Sequence, residues 1–238
     1  GNGECIHGGE GCPAMVHALK RYLIGEDPLN VDRLFEKMRR SRLFDGAMAG
    51  ATVTAMTGIE IALWDVAGKA LGVPVYQLLG GKFRDTVRLY CDSHAGKDFS
   101  PESYAERARE VVELGFDALK FDVDETTAGF RNDAWNWHAS GPEIEWMVER
   151  VAAVREAVGP NIDLAIDMHG RYDIASGIAV ARAMEPFNLL WLEEPVPPEN
   201  VAALREVKRS SRVPLCSGEN LYLRWGFRDL LEQQAVDY

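Results

Sequence analysis

Ile162-Asp163-Leu164-Ala165-Ile166-Asp167-Met168-His169 reads as a short apolar strand that delivers a carboxylate at its end and an imidazole two positions later. The pattern recurs at Leu189-Leu190-Trp191-Leu192-Glu193 and at Val213-Pro214-Leu215-Cys216-Ser217-Gly218-Glu219. Two earlier apolar runs, Val87-Arg88-Leu89-Tyr90 and Ala118-Leu119-Lys120-Phe121, share the texture. Between these runs lie stretches of helical period, such as Ile144, Met147, Val148, Val151 and Val154, or Val201, Leu204 and Val207. Strands alternating with helices of that length predict βα units and a parallel sheet, an α/β fold. An open doubly wound sheet and a closed (β/α) barrel both produce this alternation. The polar residues favour the barrel, because they fall just past the C-terminal end of one strand after another, where barrel sites are assembled. An open sheet would gather them at one switch point, and no GxGxxG turn follows the first strand.

Working outward, residues 86–238 are expected to supply the first five to six barrel strands. Ala235-Val236-Asp237-Tyr238 reads as a sixth strand just starting. A whole barrel takes about 250 residues, so the barrel is expected to be incomplete, and an open strand edge predicts low stability alone or stabilisation by association. Residues 1–85 form a separate, mostly helical domain. Met15, Val16, Leu19, Tyr22 and Leu23 recur at helical spacing, as do Val31, Leu34, Phe35 and Met38, and a long helix is expected from about Thr52 to Ala70. The N-terminus Gly1-Asn2-Gly3-Glu4 has neither the charged start nor the apolar core of a secretory signal, and it lacks an initiator Met, so the chain is expected to begin mid-protein.

The 238 residues are 47% hydrophobic and 26% charged, ample for a sizeable core. A net charge of −11 argues against nucleic acid as a partner, since a phosphate backbone needs a basic face. It leaves anionic small substrates open, because a bound divalent cation inverts the local sign of a site. No apolar run reaches the roughly 18 residues of a membrane span. Cys5, Cys12, Cys91 and Cys216 form no CxxC pair, which reads as reduced thiols in a cytoplasmic protein.

Asp167, Glu193 and Glu219 follow one another at equal spacings of 26 residues, about one βα repeat, so the three carboxylates are expected at one rim. Crowded together unpaired, they would repel and raise one another's pKa values. A hard, oxygen-preferring cation such as Mg²⁺ removes that penalty.

Asp167-x-His169, Trp191-Leu192-Glu193-Glu194-Pro195 and Ser217-Gly218-Glu219 resemble the enolase superfamily, specifically its mandelate racemase-like group. Gly58-Ile59-Glu60-Ile61-Ala62-Leu63-Trp64-Asp65 and Gly72-Val73-Pro74-Val75-Tyr76-Gln77-Leu78-Leu79-Gly80-Gly81 match it as well, so the likeness covers essentially the whole chain. The resemblance implies a (β/α)7β TIM-like barrel, incomplete here, under an α+β capping domain that is partly present. It implies Mg²⁺ held by Asp167, Glu193 and Glu219, with Glu194 a neighbour. The family's chemistry is removal of a proton α to a carboxylate, with metal stabilising the resulting anion.

His169 resembles the general acid of the group's sugar-acid dehydratases, which protonates a departing β-hydroxyl to give a 2-keto-3-deoxy acid. The family often carries Lys-x-Lys at the second strand. Here Lys120-Phe121-Asp122 replaces the second lysine by aspartate, which counts against a two-base racemase. Lys120 is then expected to hold the substrate carboxylate, the alternative being an ion pair with Asp122. The general base is expected beyond Tyr238. His94 is a candidate for substrate contact, and His7, His17 and His138 are expected at the surface or in the cap. The loop Gly8-Gly9-Glu10-Gly11 is a candidate specificity loop, and an insertion over 126–140 is expected to decorate the rim.

The resemblance implies a hexonate or pentonate substrate and a homo-oligomer. The rival readings are a racemase, epimerase or cycloisomerase on the same scaffold, a metal-independent glycoside hydrolase using two of the acids, and an incomplete fragment that only binds metal.

Overall fold

The fold comes from a computed structural model, which describes residues 1–5, 11–94, 98–124 and 135–238. The chain forms two compact units, Gly1–Val87 with Leu221–Gly226, and Arg88–Asn220 with Phe227–Tyr238.

The first unit is helical among its described residues: α1 (Gly11–Leu19), α2 (Val31–Ser41), α3 (Ala51–Leu71) and the short α4 (Val75–Leu78). The apolar positions spaced three and four apart on α1 and α2 turn inward on α3. Leu19, Met38, Ala55 and Met56 are fully enclosed, with Cys12 beside them. The long helix α3 ends where Gly72, at φ +70°, swings its N–H back to the Gly68 carbonyl, a left-handed stop that glycine adopts without strain. No helix among the described residues is long and apolar enough to cross a membrane.

The second unit is a parallel sheet in the order β1-β2-β3-β4-β5: β1 (Cys91–Asp92), β2 (Ala118–Asp122), β3 (Asp163–Asp167), β4 (Trp191–Glu193) and β5 (Leu215–Cys216). Helices α5 (Pro101–Glu113), α6 (Gly141–Val158), α7 (Ile174–Met184) and α8 (Val201–Ser210) connect consecutive strands. All of β2 is buried, and so is β3 from Leu164 onward, as strands covered on both faces must be.

Each of these four helices starts on a side-chain cap. Ser100 accepts from the Ser103 N–H, Ser140 from Glu143, Asp173 from Ser176 and Asn200 from Ala203. The caps satisfy otherwise orphaned N–H groups and fix where each βα loop ends, on the side of the sheet where the candidate site lies.

Strand boundaries differ from the sequence reading in several places. The run at 87–90 does not pair, and the ladder begins at Cys91, opposite Leu119. Val87 and Leu89 stand exposed just before the edge strand β1. Arg88 is anchored, donating to the Asp117 and Asp163 carboxylates, and the Tyr90 ring packs edge-on against Trp191. The fourth strand runs from Trp191 to Glu193, so Glu193 is its last residue, as Asp167 is of β3. Residues 235–238 form no strand. Asp237 and Tyr238 donate backbone N–H groups to the single carbonyl of Leu215, and the Asp237 carboxylate takes the Leu215 N–H that a ladder would have used.

Candidate active site

Strand register places the acids in a row. Asp122 stands opposite Asp167, Asp167 opposite Glu193, and Glu193 opposite Cys216. One row below, Lys120 stands opposite Ala165, and Ala165 opposite Trp191. The methyl group of Ala165 leaves room for Lys120 to reach across β3, and its Nζ lies 2.8 Å from Asp167 Oδ2 and 3.3 Å from Glu193 Oε2. The Trp191 indole N–H donates to the same Glu193 oxygen at 3.0 Å.

All three charged groups are nearly enclosed. Burial raises the Glu193 carboxyl above its ordinary value, and the Asp167 charge adds to that. Burial would lower the Lys120 ammonium, but Asp167 and Glu193 outweigh it and hold its pKa up. One ammonium thus offsets part of the repulsion between two crowded carboxylates, which keep a net negative charge.

Beyond Asp167 the chain turns sharply. His169 adopts φ +49°, a left-handed conformation that costs a non-glycine residue about 1 kcal/mol. Its N–H donates to Asp167 Oδ1 at 2.9 Å, and Gly170 donates to the Glu194 carbonyl at 2.8 Å. The turn aims the imidazole toward β2, where Nδ1 lies 3.0 Å from Asp124 Oδ1 and Nε2 lies 3.8 Å from Asp122 Oδ1. The Asp124 hydrogen bond raises the imidazole to about 9 against the opposing effect of burial. Asp124 is itself 2% exposed, with Arg171 Nε 3.0 Å from its other oxygen. His94 Nδ1 lies 3.3 Å from Asp122 Oδ2.

Glu194 is fully buried at φ +39°, and its carboxylate accepts from Ser217 Oγ and Asn220 Nδ2. Burial raises its pKa, with Glu219 contributing from the next strand end.

The sequence of residues 103–238 matches the family model of the enolase C-terminal domain-like fold. Residues 1–80 match the N-terminal domain of mandelate racemase and muconate lactonizing enzyme. The chain belongs to the enolase superfamily, in its mandelate racemase-like group.

Within that superfamily the chain is 46% identical over its whole length to the D-xylonate dehydratase of Haloferax volcanii, of which it spans 57%. It is 36% identical over 92% of its length to the D-galactonate dehydratase of Xanthomonas oryzae, of which it spans 54%. The solved structure of a mandelate racemase/muconate lactonizing enzyme-like protein from Rubrobacter xylanophilus superposes with a TM-score of 0.93 at 54% identity, covering 99% of this chain and 64% of that one. The chain therefore spans little more than half the length of these curated relatives.

The five residues singled out from the sequence fall in three places. Lys120, Asp167 and Glu193 meet directly, and His169 joins them from the turn above β3. Glu219 follows β5 on an exposed turn, with Asn220 Nδ2 3.5 Å from its Oε1. The closest group of possible ligand atoms among the described residues is Asp122, Asp167 and His169, all within 4.8 Å of one another. Lys120 pairs across two strands rather than with Asp122. The loop at 8–10, His7 and most of the 126–140 insertion lie outside the described residues.

Asp124 and Arg171 had no part in the sequence reading. The alternation Lys120-x-Asp122-x-Asp124 carried a signal for the former, since period 2 puts all three side chains on one side of β2.

Proposed function

We propose that this chain carries the metal-binding and general-acid half of a Mg²⁺-dependent sugar-acid dehydratase site. The observation that carries the reading is the pair of enclosed carboxylates, Asp167 and Glu193, on adjacent strand ends beside an imidazole that a third carboxylate holds protonated. The donor set fits a hard divalent cation: it is all-oxygen and anionic, and burial, with the neighbouring Asp167 charge, pushes Glu193 up. Asp167, Glu193 and Glu219 would hold the ion. When bound, it supplies Lewis-acid stabilisation of the charge that develops as the α-proton leaves.

The remaining roles belong to the chain's own side chains. Lys120, permanently cationic at the carboxylate pair, orients the substrate carboxylate and adds positive charge beside it. His169, protonated at neutral pH, delivers its Nε2 proton to the departing β-hydroxyl. Asp124 keeps the ring turned so that Nε2, not Nδ1, faces Asp122 and the row of rim acids. The names of the relatives support an aldonate such as D-xylonate or D-galactonate as substrate.

The test pairs binding with turnover. Mg²⁺ at about a hundredfold excess over its Kd should stabilise the chain by about 2.7 kcal/mol and leave Asp167→Ala unmoved. In a protein that joins this half-site to a general base, Mg²⁺ and either aldonate should yield a 2-keto-3-deoxy acid, and His169→Asn should abolish it. A melting temperature that ignores Mg²⁺ in both proteins overturns the metal assignment, and turnover that survives a chelator overturns the reaction class.

A further inference from the structure

Asp122 is the rim acid to which the dehydratase reading gives no work. Its side chain is nine-tenths buried, yet among the described residues no donor approaches its carboxylate closer than His94 Nδ1 at 3.3 Å. A carboxylate enclosed to that degree without a close donor is costly to keep. The next nearest group, His169 Nε2, is 3.8 Å away, beyond hydrogen-bonding range.

That 3.8 Å gap has another meaning. Ligand atoms bound to one tetrahedral Zn²⁺ at its usual bond lengths stand about 3.4 Å apart. Asp122 Oδ1 and His169 Nε2 are close to that separation, and Asp167, in register with Asp122, completes a set lying within 4.8 Å.

The other side of the imidazole is arranged as in metal-binding histidines, which pass their second ring N–H to a carboxylate. His169 Nδ1 faces Asp124 Oδ1 at 3.0 Å, so the lone pair of the neutral ring sits on Nε2, toward Asp122. Asp167 Oδ2 is occupied by Lys120, but Oδ1 lies on the His169 side, where it accepts that residue's N–H. The exposed His94 lies on the far side of the same carboxylate, its Nδ1 3.3 Å from Asp122 Oδ2.

We propose that Asp122, Asp167 and His169 Nε2 form a second cation site, shared at Asp167 with the carboxylate site and suited to Zn²⁺ or Co²⁺ rather than Mg²⁺. The mixed nitrogen and oxygen set selects a borderline ion, whereas Mg²⁺ demands oxygen. An ion there takes the lone pair of Nε2 and leaves His169 without a proton to deliver, so occupancy switches dehydration off. That consequence rests on the dehydratase reading, whereas the binding does not.

Co²⁺ serves as the visible probe, at mildly alkaline pH because Nε2 must shed its proton to bind. One equivalent of Co²⁺, added in saturating Mg²⁺, should give the d–d absorption of a low-coordinate site with a nitrogen ligand, and one equivalent of Zn²⁺ should abolish it. Asp122→Asn and His169→Gln should each lose the bands. Asp124→Asn, which removes only the outer carboxylate, should weaken Zn²⁺ by about 10- to 100-fold. Glu193→Gln should lose the Mg²⁺-induced rise in melting temperature and keep the Co²⁺ bands, which separates failure of this site from failure of the carboxylate site. Bands that persist in both Asp122→Asn and His169→Gln, or that vanish in Glu193→Gln, overturn the proposal.

Discussion

The two units bury different things. Among the described residues, the helical unit encloses Leu19, Leu34, Met38 and Met56, and Thr52 is its one buried polar side chain. The sheet unit encloses Lys120, Asp122, Asp124, Glu143, Arg150, Asp167, Glu193 and Glu194. Apolar burial contributes stability roughly in proportion to area, whereas a buried ion pair at best offsets its own desolvation. The helical unit is therefore packed for stability. The sheet unit holds, at its strand ends, charge that stability alone does not explain, and such groups gather at functional sites.

The sharpest way to break this contrast is Lys120→Met. It strands two buried carboxylates, and the metal-free chain should lose about 4 kcal/mol in urea unfolding. Mg²⁺ should then restore more stability to the variant than it adds to the parent, since the ion replaces the missing ammonium. A loss below about 1 kcal/mol would mean the rim is not charge-balanced by Lys120. Next comes Met56→Ala in the helical core, for which a loss of about 3 kcal/mol is expected from transfer and cavity terms. That loss should be the same with and without Mg²⁺, and a metal-dependent difference would erase the distinction between the units. The smallest effect belongs to Ser140→Ala, which removes the cap of α6 and should lower stability by about 1 kcal/mol by thermal melting.

Much of this was readable from the residues. Parallel strands buried on both faces leave continuous apolar runs, so Ile162–Ile166 and Leu189–Leu192 announced strands, and the acids that end them announced a rim. What stayed hidden depends on neighbours. Val87-Arg88-Leu89-Tyr90 is as apolar as the other runs, but pairing starts at Cys91 because only there does β2 lie alongside. The partners of Lys120 follow from the small side chain of Ala165 on the intervening strand, which no local pattern encodes. His169 follows Asp167 by two positions, a spacing that does not by itself aim the side chain. The imidazole instead gets its direction from a left-handed turn after the strand has ended.

The strand order has a consequence for the order of synthesis. Every strand of the sheet after the first pairs with the one made just before it. Lys120 lies on the second strand, and the acids it pairs with lie on the third and fourth. As the chain leaves the ribosome from its N-terminus, the counter-cation is already in place when Asp167 arrives, and again when Glu193 does. Each of these two acids therefore joins the sheet beside an ammonium that is already there.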